Sequence, residues 1–316
     1  MFRRSTHPGE HEKIASSALA HLPMAKAPDA IRTAIEASLD APKAAAVRVK
    51  RPSWRWALLP ATILLLYAIT WSWYRVHRVR WDVVRVSGSL APRSESIGAG
   101  EWLQTDASSR AEVRVGTIGT VEVEPDTRLR VVTTRPNEHR LLLERGEIAA
   151  TISAPPKLFF VETRSATAVD LGCQYRMNVD DKGNGLLRVT LGWVSFDWQG
   201  RESLVPAGAN CRTRAGTGPG TPFFEDAAKD LVAALDDFDF SGGGASALRT
   251  ILDSARPRDT LTLWHLLARV DVSQRPLVYE RMVSFAAPPS GVTRDKVLTL
   301  DPQTLKVWKD ELAWSW

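Results

Sequence analysis

The sequence lacks the short motifs that many hydrolases, nucleotide-binding enzymes and metalloproteases carry. It has no Gly-x-Ser-x-Gly elbow and no His-Glu-x-x-His pair, and no Lys-Ser or Lys-Thr completes a phosphate loop at the glycine-rich stretch 216–220. Histidine is also scarce, since only His77, His139 and His265 follow residue 75 and they lie far apart in the chain. Because a nucleophile needs a nearby base, these absences predict that the protein is not an enzyme and uses no cofactor.

Cysteine occurs only twice, which limits the metal sites that the chain can build. His7 and His11 are one helical turn apart, but Pro8 and Gly9 between them argue against a rigid helix. No cysteine lies near them to complete a zinc site. The sequence therefore predicts no metal centre.

Charge is absent from one long run, which dominates the organisation of the chain. Residues 56–74 contain no charged side chain, and a helix of about 20 residues spans the apolar core of a bilayer. Aromatic rings lie at both ends, as in the belts that mark the two membrane interfaces. We predict one transmembrane helix over 54–75. The alternatives are a buried core helix or a signal peptide, but more than fifty residues precede the run, so a cleaved signal does not fit.

The distribution of charge and cysteine indicates the orientation of this helix. Residues 1–55 hold ten Lys and Arg against five Asp and Glu, whereas residues 75–316 hold thirty-one of each sign. The net charge of +5 thus belongs to the first segment, as expected for a cytoplasmic N-terminus. Both cysteines follow the helix, where an oxidising compartment would lie. We predict a single-pass protein of the inner (cytoplasmic) membrane, with its later domains extracytoplasmic.

The segment 1–53 is predicted to be cytoplasmic and to carry short amphipathic helices. Ile31, Ile35 and Leu39 recur at helical spacing and form a narrow apolar stripe. Such a helix is marginal alone, so the stripe either docks in a groove on a partner or belongs to a frayed helix without one. Positive charge beside a membrane explains the basic character of this segment, and no direct binding of nucleic acid is predicted.

The sequence pattern changes to a period of two beyond the membrane. Between residues 80 and 215, short runs alternate apolar and polar side chains, and they are separated by turns rich in Gly, Pro, Asn and Asp. This pattern predicts an all-β domain of about ten or more short strands, arranged as a sandwich or as a solenoid-like stack.

Two of these strands place their cysteines on an inward face. In the stretch 169–179 the odd positions are apolar apart from Cys173, which shares their phase, and Cys211 has the same phase within 209–213. If the two strands were neighbours, the Cα atoms would lie about 4.4 to 6.8 Å apart and a disulfide would form in an oxidising compartment. We predict a disulfide between Cys173 and Cys211. The alternative is two buried free thiols.

Several blocks in this β-region occur together and in a recognisable order. They are Gly-Ala-Gly-Glu-Trp-Leu-Gln-Thr-Asp from residue 98, Leu-Leu-Leu-Glu-Arg-Gly-Glu-Ile from 141, Phe-Val-Glu-Thr from 160, Ala-Val-Asp-Leu-Gly from 168, Leu-Arg-Val-Thr-Leu-Gly-Trp-Val from 187, and Pro-Ala-Gly from 206. Over residues 85–215 the chain resembles the FecR domain.

The resemblance implies a role in signalling across a membrane. In that family the domain is periplasmic and receives a signal from an outer-membrane transporter, while the cytoplasmic segment controls an extracytoplasmic-function sigma factor. The present chain departs from the family at both ends. Its N-terminal segment is shorter and lacks the usual helical bundle, and its C-terminus is not the βαβ-type module that contacts a transporter.

The region 221–316 is predicted to be an all-α domain. The glycine-rich stretch 216–220 marks a break, and Thr221-Pro222 supplies a cap and a first-turn proline for a helix that ends at Ser241. Further runs at helical spacing predict an array of helix pairs, and a plain bundle packed on the β-domain is the alternative. Four aromatic residues are predicted to pack within or between helices: Trp264, Trp308, Trp314 and Trp316. His265 lies within the apolar run 263–267 and is predicted to be a hydrogen-bonded histidine of the core or of its edge.

Two functions fit this organisation. The first is a membrane-anchored regulator, an anti-sigma factor in type, that senses an envelope partner and binds a sigma factor through Ile31, Ile35 and Leu39. The second is an anchored envelope scaffold whose outer domains bind protein or cell-wall polymer without signalling.

Overall fold

The computed structural model describes residues 80–87 and 96–316, together with the single helical positions Thr33, Leu65 and Tyr67. The chain divides into two units, 1–67 and 68–316, and the second is the subject below. None of the helices in the described part of the chain has the length and apolar character needed to cross a bilayer. The predicted helix 54–75 lies outside the described residues, apart from Leu65 and Tyr67.

Residues 80–87 and 96–224 form a β-domain, as the alternating pattern predicts. The strands are β1 Trp81–Ser87, β2 Ser96–Ile97, β3 Trp102–Gln104, β4 Arg110–Val115, β5 Gly119–Val123, β6 Arg128–Arg135, β7 Glu138–Ile152, β8 Phe159–Glu162, β9 Thr167–Asp170, β10 Gln174–Val179, β11 Gly185–Leu191, β12 Trp193–Trp198, β13 Arg201–Pro206, β14 Ala209–Arg214, β15 Gly218–Pro219 and β16 Phe223–Phe224.

The long strand β7 joins the two halves of the β-domain. Its first half pairs with β6 and β8, and its second half pairs with β5 and β10. Gly146 lies between the halves with φ +94°, a backbone conformation that side chains with a Cβ rarely adopt. A Cβ at this position would overlap Thr127, so the close approach of Thr127 to β7 also requires glycine.

The strand order defines two sheets that share β7. One sheet runs β3-β6-β7-β8-β9-β12-β13, and the other contains β2-β1-β4-β5-β7-β10-β11-β14-β15, with β16 also on β14. Every pairing in the described residues is antiparallel except β7 with β8. Buried apolar side chains from both sheets form one cluster, in which Leu143, Ile148 and Phe196 are almost fully inaccessible. The predicted all-β domain is therefore confirmed, and its two sheets share one apolar core.

The two cysteines are free thiols in this structure, so the predicted disulfide is not formed. Both side chains are buried, as their phase predicts, but β11 lies between β10 and β14. Two ladder spacings separate the strands by about 10 Å, beyond the reach of a disulfide. The alternating pattern therefore predicted correctly that both cysteines are buried, but it did not predict which strands lie next to each other.

The helical region begins later than predicted. Residues Phe223–Phe224 pair with Ala209–Asn210 of β14, so the expected helix start at Thr221-Pro222 was wrong. The first helix begins at Lys229, and Ser241 caps its end as predicted. The helices are α1 Lys229–Phe240, α2 Gly244–Ser254, α3 Thr260–Leu267, α4 Arg275–Phe285, α5 Arg294–Leu298 and α6 Pro302–Leu312, with short 3₁₀ turns at Pro257–Asp259, Val272–Gln274 and Ala313–Ser315.

The helices form a second apolar cluster that packs against the β-domain. Trp308 is fully buried in this cluster, and Tyr279 contacts it edge-on, with ring centroids 5.7 Å apart. Trp316 contacts both clusters and so connects two layers, the β-domain and the helical region. Trp314 is 91% exposed, so its predicted packing role was wrong. The alternative of a bundle packed on the β-domain describes the observed arrangement.

Candidate ligand-binding cleft

The outer edge of β13 is covered by side chains from the helical region. His265 of α3 accepts a hydrogen bond from the main-chain N–H of Leu204, with 3.0 Å between Nε2 and N. Four residues later, Arg269 donates to the carbonyl of Glu202 and to the hydroxyl of Ser203. These contacts satisfy part of the main-chain hydrogen bonding that an edge strand leaves open.

His265 performs this role as a neutral imidazole. Its Nδ1 lies 2.9 Å from the carbonyl oxygen of Leu261, one helical turn earlier. Since Nε2 accepts, Nδ1 carries the proton and donates to that carbonyl. Burial, with a smaller effect of Arg269, lowers the pKa of His265 to about 3. The prediction of a core histidine is confirmed.

A buried ionic network joins the same edge to helix α1. The side chain of Asp239 is 2% exposed and lies 2.8 Å from Arg201 of β13 and 3.5 Å from Arg269. The main-chain N–H and the hydroxyl of Thr221 also donate to its carboxylate. Burial lowers the pKa of Arg269 to about 10, and the attraction of Asp239 partly opposes this effect. The Arg269 guanidinium is therefore still charged at neutral pH.

A cleft of about 1430 Å³ lies where the β-domain meets the helices. Its floor includes the outward side chains of a cross-strand row, in which Phe160 is paired with Val169, Val169 with Ser195, and Ser195 with Leu204. Helices α3 and α6 supply the opposite wall, including Trp264 and Leu305. The cleft is therefore wide, largely apolar on its floor and open on one side.

Three tryptophans form a connected group beside this cleft. The rings of Trp193 and Trp264 each lie 6.2 Å from the ring of Trp316, and Trp316 Nε1 donates to the hydroxyl of Thr260. Trp193 and Trp264 also line the cleft, and both are half-buried. The tertiary structure thus presents two aromatic rings, one from β12 and one from α3, to the same space.

Formal charge along the cleft is balanced. The lining contains four cationic and four anionic side chains, with His265 neutral: Lys157, Arg201, Arg269, Lys309, Asp197, Glu202, Asp239 and Asp310. Glu202 accepts a hydrogen bond from Ser195 at 2.6 Å. Among the described residues, the side chains of Lys157, Asp197 and Lys309 have neither an ion pair nor a hydrogen bond. These three groups are available to a ligand.

The predicted site residues lie elsewhere. Cys173 donates to Asp170, with 2.7 Å between Sγ and Oδ2, and Cys211 donates to the carbonyl of Gly220 at 3.2 Å. Burial raises the pKa of Cys173, and that of Cys211 to about 12, so both thiols are protonated and unreactive at neutral pH. The predicted partner-binding residues Ile31, Ile35 and Leu39 lie outside the described residues.

One sequence signal could have pointed to the cleft. Residues 158–161, Leu-Phe-Phe-Val, are apolar without a break, although the neighbouring strands alternate. A strand that is apolar at every position is typical of one covered on both faces. Phe159 faces the core, and Phe160 faces the cleft.

In the part of the chain that the structure describes, no group of three or more His, Cys, Asp or Glu side chains is placed to hold a metal ion.

Residues 101–195 match the family model described as FecR protein. The resemblance to the FecR family is confirmed. The match runs from the residue before β3 into β12, so it includes the strand β7 and most of the floor of the cleft. It ends before β13 and the helices, which form the rest of the cleft. None of the curated proteins matches the chain.

Two crystal structures of a candidate anti-sigma factor from Parabacteroides distasonis are similar to part of this chain. The structure at 2.50 Å resolution is 18% identical, with a TM-score of 0.36, and the match covers 43% of this chain and 64% of that chain. The structure at 1.65 Å is 16% identical, with a TM-score of 0.35, and the match covers 42% and 63% respectively. The match therefore spans less than two thirds of those chains.

Proposed function

We propose that this protein is a single-pass membrane regulator whose extracytoplasmic FecR-like and helical layers sense an envelope partner. The observation that carries the proposal is the FecR match at residues 101–195, which follows an uncharged run long enough to cross a bilayer. In the FecR family this order of segments accompanies control of a sigma factor. The N-terminal segment would then act on a sigma factor through the stripe Ile31, Ile35 and Leu39.

Co-purification of the full-length chain from membranes tests the proposed partner. A tagged wild type is compared with the triple variant Ile31→Asp, Ile35→Asp and Leu39→Asp. We expect the wild type to recover a sigma factor and the triple variant to lose it, because three carboxylates would disrupt an apolar helix–groove contact.

The matched control places the same number of charges on the opposite side of the predicted helix, as Ala30→Asp, Thr33→Asp and Ala37→Asp. Equal loss of the sigma factor in both triple variants would contradict a role for the stripe. Recovery of no sigma factor by the wild type would remove the regulator function from consideration.

Anchoring and orientation are tested separately. We expect the chain to stay in the membrane fraction after alkaline carbonate extraction, and a tag after Trp316 to be digested when protease is added to spheroplasts. A tag before residue 1 should be protected under the same conditions. Release by carbonate, or protection of the C-terminal tag, would contradict the proposed topology.

The cleft favours a second function, an anchored binding module without signalling. Its aromatic and hydrogen-bonding groups fit ligand binding independently of the N-terminal segment. The two functions differ in their prediction for the co-purification, since the scaffold recovers no sigma factor that depends on the stripe.

A further inference from the structure

We propose that the cleft between the FecR-like domain and the helices binds an uncharged oligosaccharide. The inference rests on the proposed function and deepens it, because it names the class of envelope ligand that the outer unit recognises. It is carried by five properties of the cleft: its partly occupied strand edge, its balanced charge, its polar groups without protein partners, its aromatic rings and its size.

The partly occupied edge disfavours the usual way in which a sheet binds an extended peptide. A peptide that adds to a sheet needs free main-chain N–H and C=O groups along the edge strand. On β13 the N–H of Leu204 is taken by His265, and the carbonyl of Glu202 is taken by Arg269. A ligand in this cleft is therefore expected to bind through side chains.

The balanced charge argues against a charged ligand. Four cations and four anions line the cleft, and two of the cations, Arg201 and Arg269, are already engaged with Asp239. An anionic ligand such as a phosphate or a nucleic acid needs a cationic excess, which this lining lacks. A neutral ligand carrying many hydroxyl groups can instead use donors and acceptors of both signs.

The polar groups without protein partners are suited to hydroxyl groups. Asp197 supplies acceptors, Lys157 and Lys309 supply donors, and the exposed Gln199 supplies both. No hydrogen bond of the described residues uses the side chain of Gln199. These groups lie around an apolar floor. A ligand with one apolar face and polar edges can therefore pack on the floor and form hydrogen bonds with the groups.

The aromatic rings supply the apolar contact. Trp193 from β12 and Trp264 from α3 both line the cleft, and Phe160 adds a third ring on its floor. The ring of a pyranose has a face of C–H groups and a rim of hydroxyls, so it can pack on an aromatic ring while its rim bonds to charged side chains. This division between face and rim matches the cleft.

The size of the cleft indicates several sugar units. Its volume of about 1430 Å³ exceeds the range of about 300 to 1,000 Å³ that is usual for small-molecule pockets. The cleft is partly open to solvent, so a longer chain can extend out of it. A segment of a longer glycan therefore fits better than a monosaccharide.

The test is a titration of the full-length protein in phosphatidylcholine nanodiscs, which avoids glycoside detergents. The probes are maltotetraose, cellotetraose and tetra-N-acetylchitotetraose, followed by tryptophan fluorescence and by calorimetry. We expect at least one probe to bind with a Kd of about 10 μM to 1 mM, and the Trp193→Ala variant to bind it about tenfold more weakly.

Two further variants keep the test independent of folding. Asp197→Ala changes an exposed rim residue and should weaken binding at least about threefold, a loss near that of one hydrogen bond. Trp314→Ala is the matched aromatic control, because Trp314 is exposed and does not line the cleft, and its affinity should equal that of the wild type.

Three results would overturn the inference. They are the absence of binding by all three probes at about 5 mM, tighter binding of a sulfated tetrasaccharide than of any neutral one, and unchanged affinity in both cleft variants. The co-purification of the sigma factor is a separate measurement on the N-terminal segment. Failure of glycan binding with sigma-factor recovery retained would thus refute this inference alone.

Discussion

The imidazole of His265 and the main-chain N–H of Leu204 form a hydrogen bond across 61 positions of sequence, with 3.0 Å between Nε2 and N. It fixes helix α3 against the edge of β13, and it requires His265 to be neutral. The contact between helix α3 and strand β13 is therefore sensitive to acid at one atom, Nε2 of His265.

We expect acid to weaken the wild type through His265. Its folded pKa is about 3 and its unfolded pKa is about 6.5, so protons bind the unfolded chain first as the pH falls. The free energy of unfolding should decrease by about 1.4 kcal/mol per pH unit between roughly pH 6 and pH 4. Urea unfolding at a series of pH values measures this slope.

His265→Gln is the matched variant, since its side-chain oxygen can still accept the Leu204 N–H without titrating. Burial also lowers the pKa of His139, so a residual slope from that residue should remain in both proteins. The same slope in the wild type and in the variant would show that His265 is not the sensitive group.

Asp239→Asn should destabilise the protein strongly. The change leaves Arg269, whose side chain is 8% exposed, without its counter-charge. Breaking a buried pair in this way costs about 3 to 5 kcal/mol. Asp236→Asn on the same helix is the control, because Asp236 pairs with two more exposed arginines and should cost about 1 kcal/mol or less. Thermal unfolding of the two variants side by side measures the difference, and equal losses would contradict a special role for the buried network.

Asp170→Asn should change how stability depends on pH in the opposite sense to His265. Burial raises the pKa of Asp170, against the hydrogen bonds from Cys173 and from the N–H of Gly172. The folded protein therefore keeps this proton to a higher pH than the unfolded chain, and it loses stability as the pH rises from about 4 through the folded pKa. The variant, which does not titrate there, should gain stability relative to the wild type over that interval.

Cys173→Ala provides a second measurement on the same carboxyl group. The thiol donates to Asp170 and favours its charged form, so removing it should raise the folded pKa further and extend the loss of stability to higher pH. Urea unfolding between pH 4 and pH 8 compares the three proteins. A difference between wild type and Asp170→Asn that does not vary with pH would contradict the buried carboxyl as its source.

Gly146→Ala should disturb the strand that the two sheets share. An alanine at this position would have an unfavourable φ of +94°, and its Cβ would overlap Thr127. Gly100→Ala isolates the first effect, because Gly100 has φ +90° but no atom within 4 Å of its added Cβ. We expect a loss of about 1 kcal/mol for Gly100→Ala and about 2 to 4 kcal/mol for Gly146→Ala. Chemical unfolding provides both values, and similar losses would indicate that the overlap relaxes without cost.

Local pattern was sufficient for the strands and for burial within them. The alternation around Cys173 and Cys211 placed both side chains inside correctly, because the period of two follows from strand geometry alone. The same pattern could not predict which strands are neighbours, so the prediction of a disulfide was wrong. The helix start failed for a related reason, since Thr221-Pro222 favours a helix locally but the pairing of Phe223–Phe224 with β14 overrides it.

The sequence by itself determined the strands, the resemblance to the FecR domain that the family model matches over residues 101–195, and the inward phase of both cysteines. Each depends on residues close together in the chain. Only the tertiary structure decided that Phe160, Trp193 and Trp264 line one cleft, and that Arg269 and Asp239 meet in its wall. Those contacts join residues from separate strands and helices, and their positions follow from how the two layers pack, which no local pattern encodes.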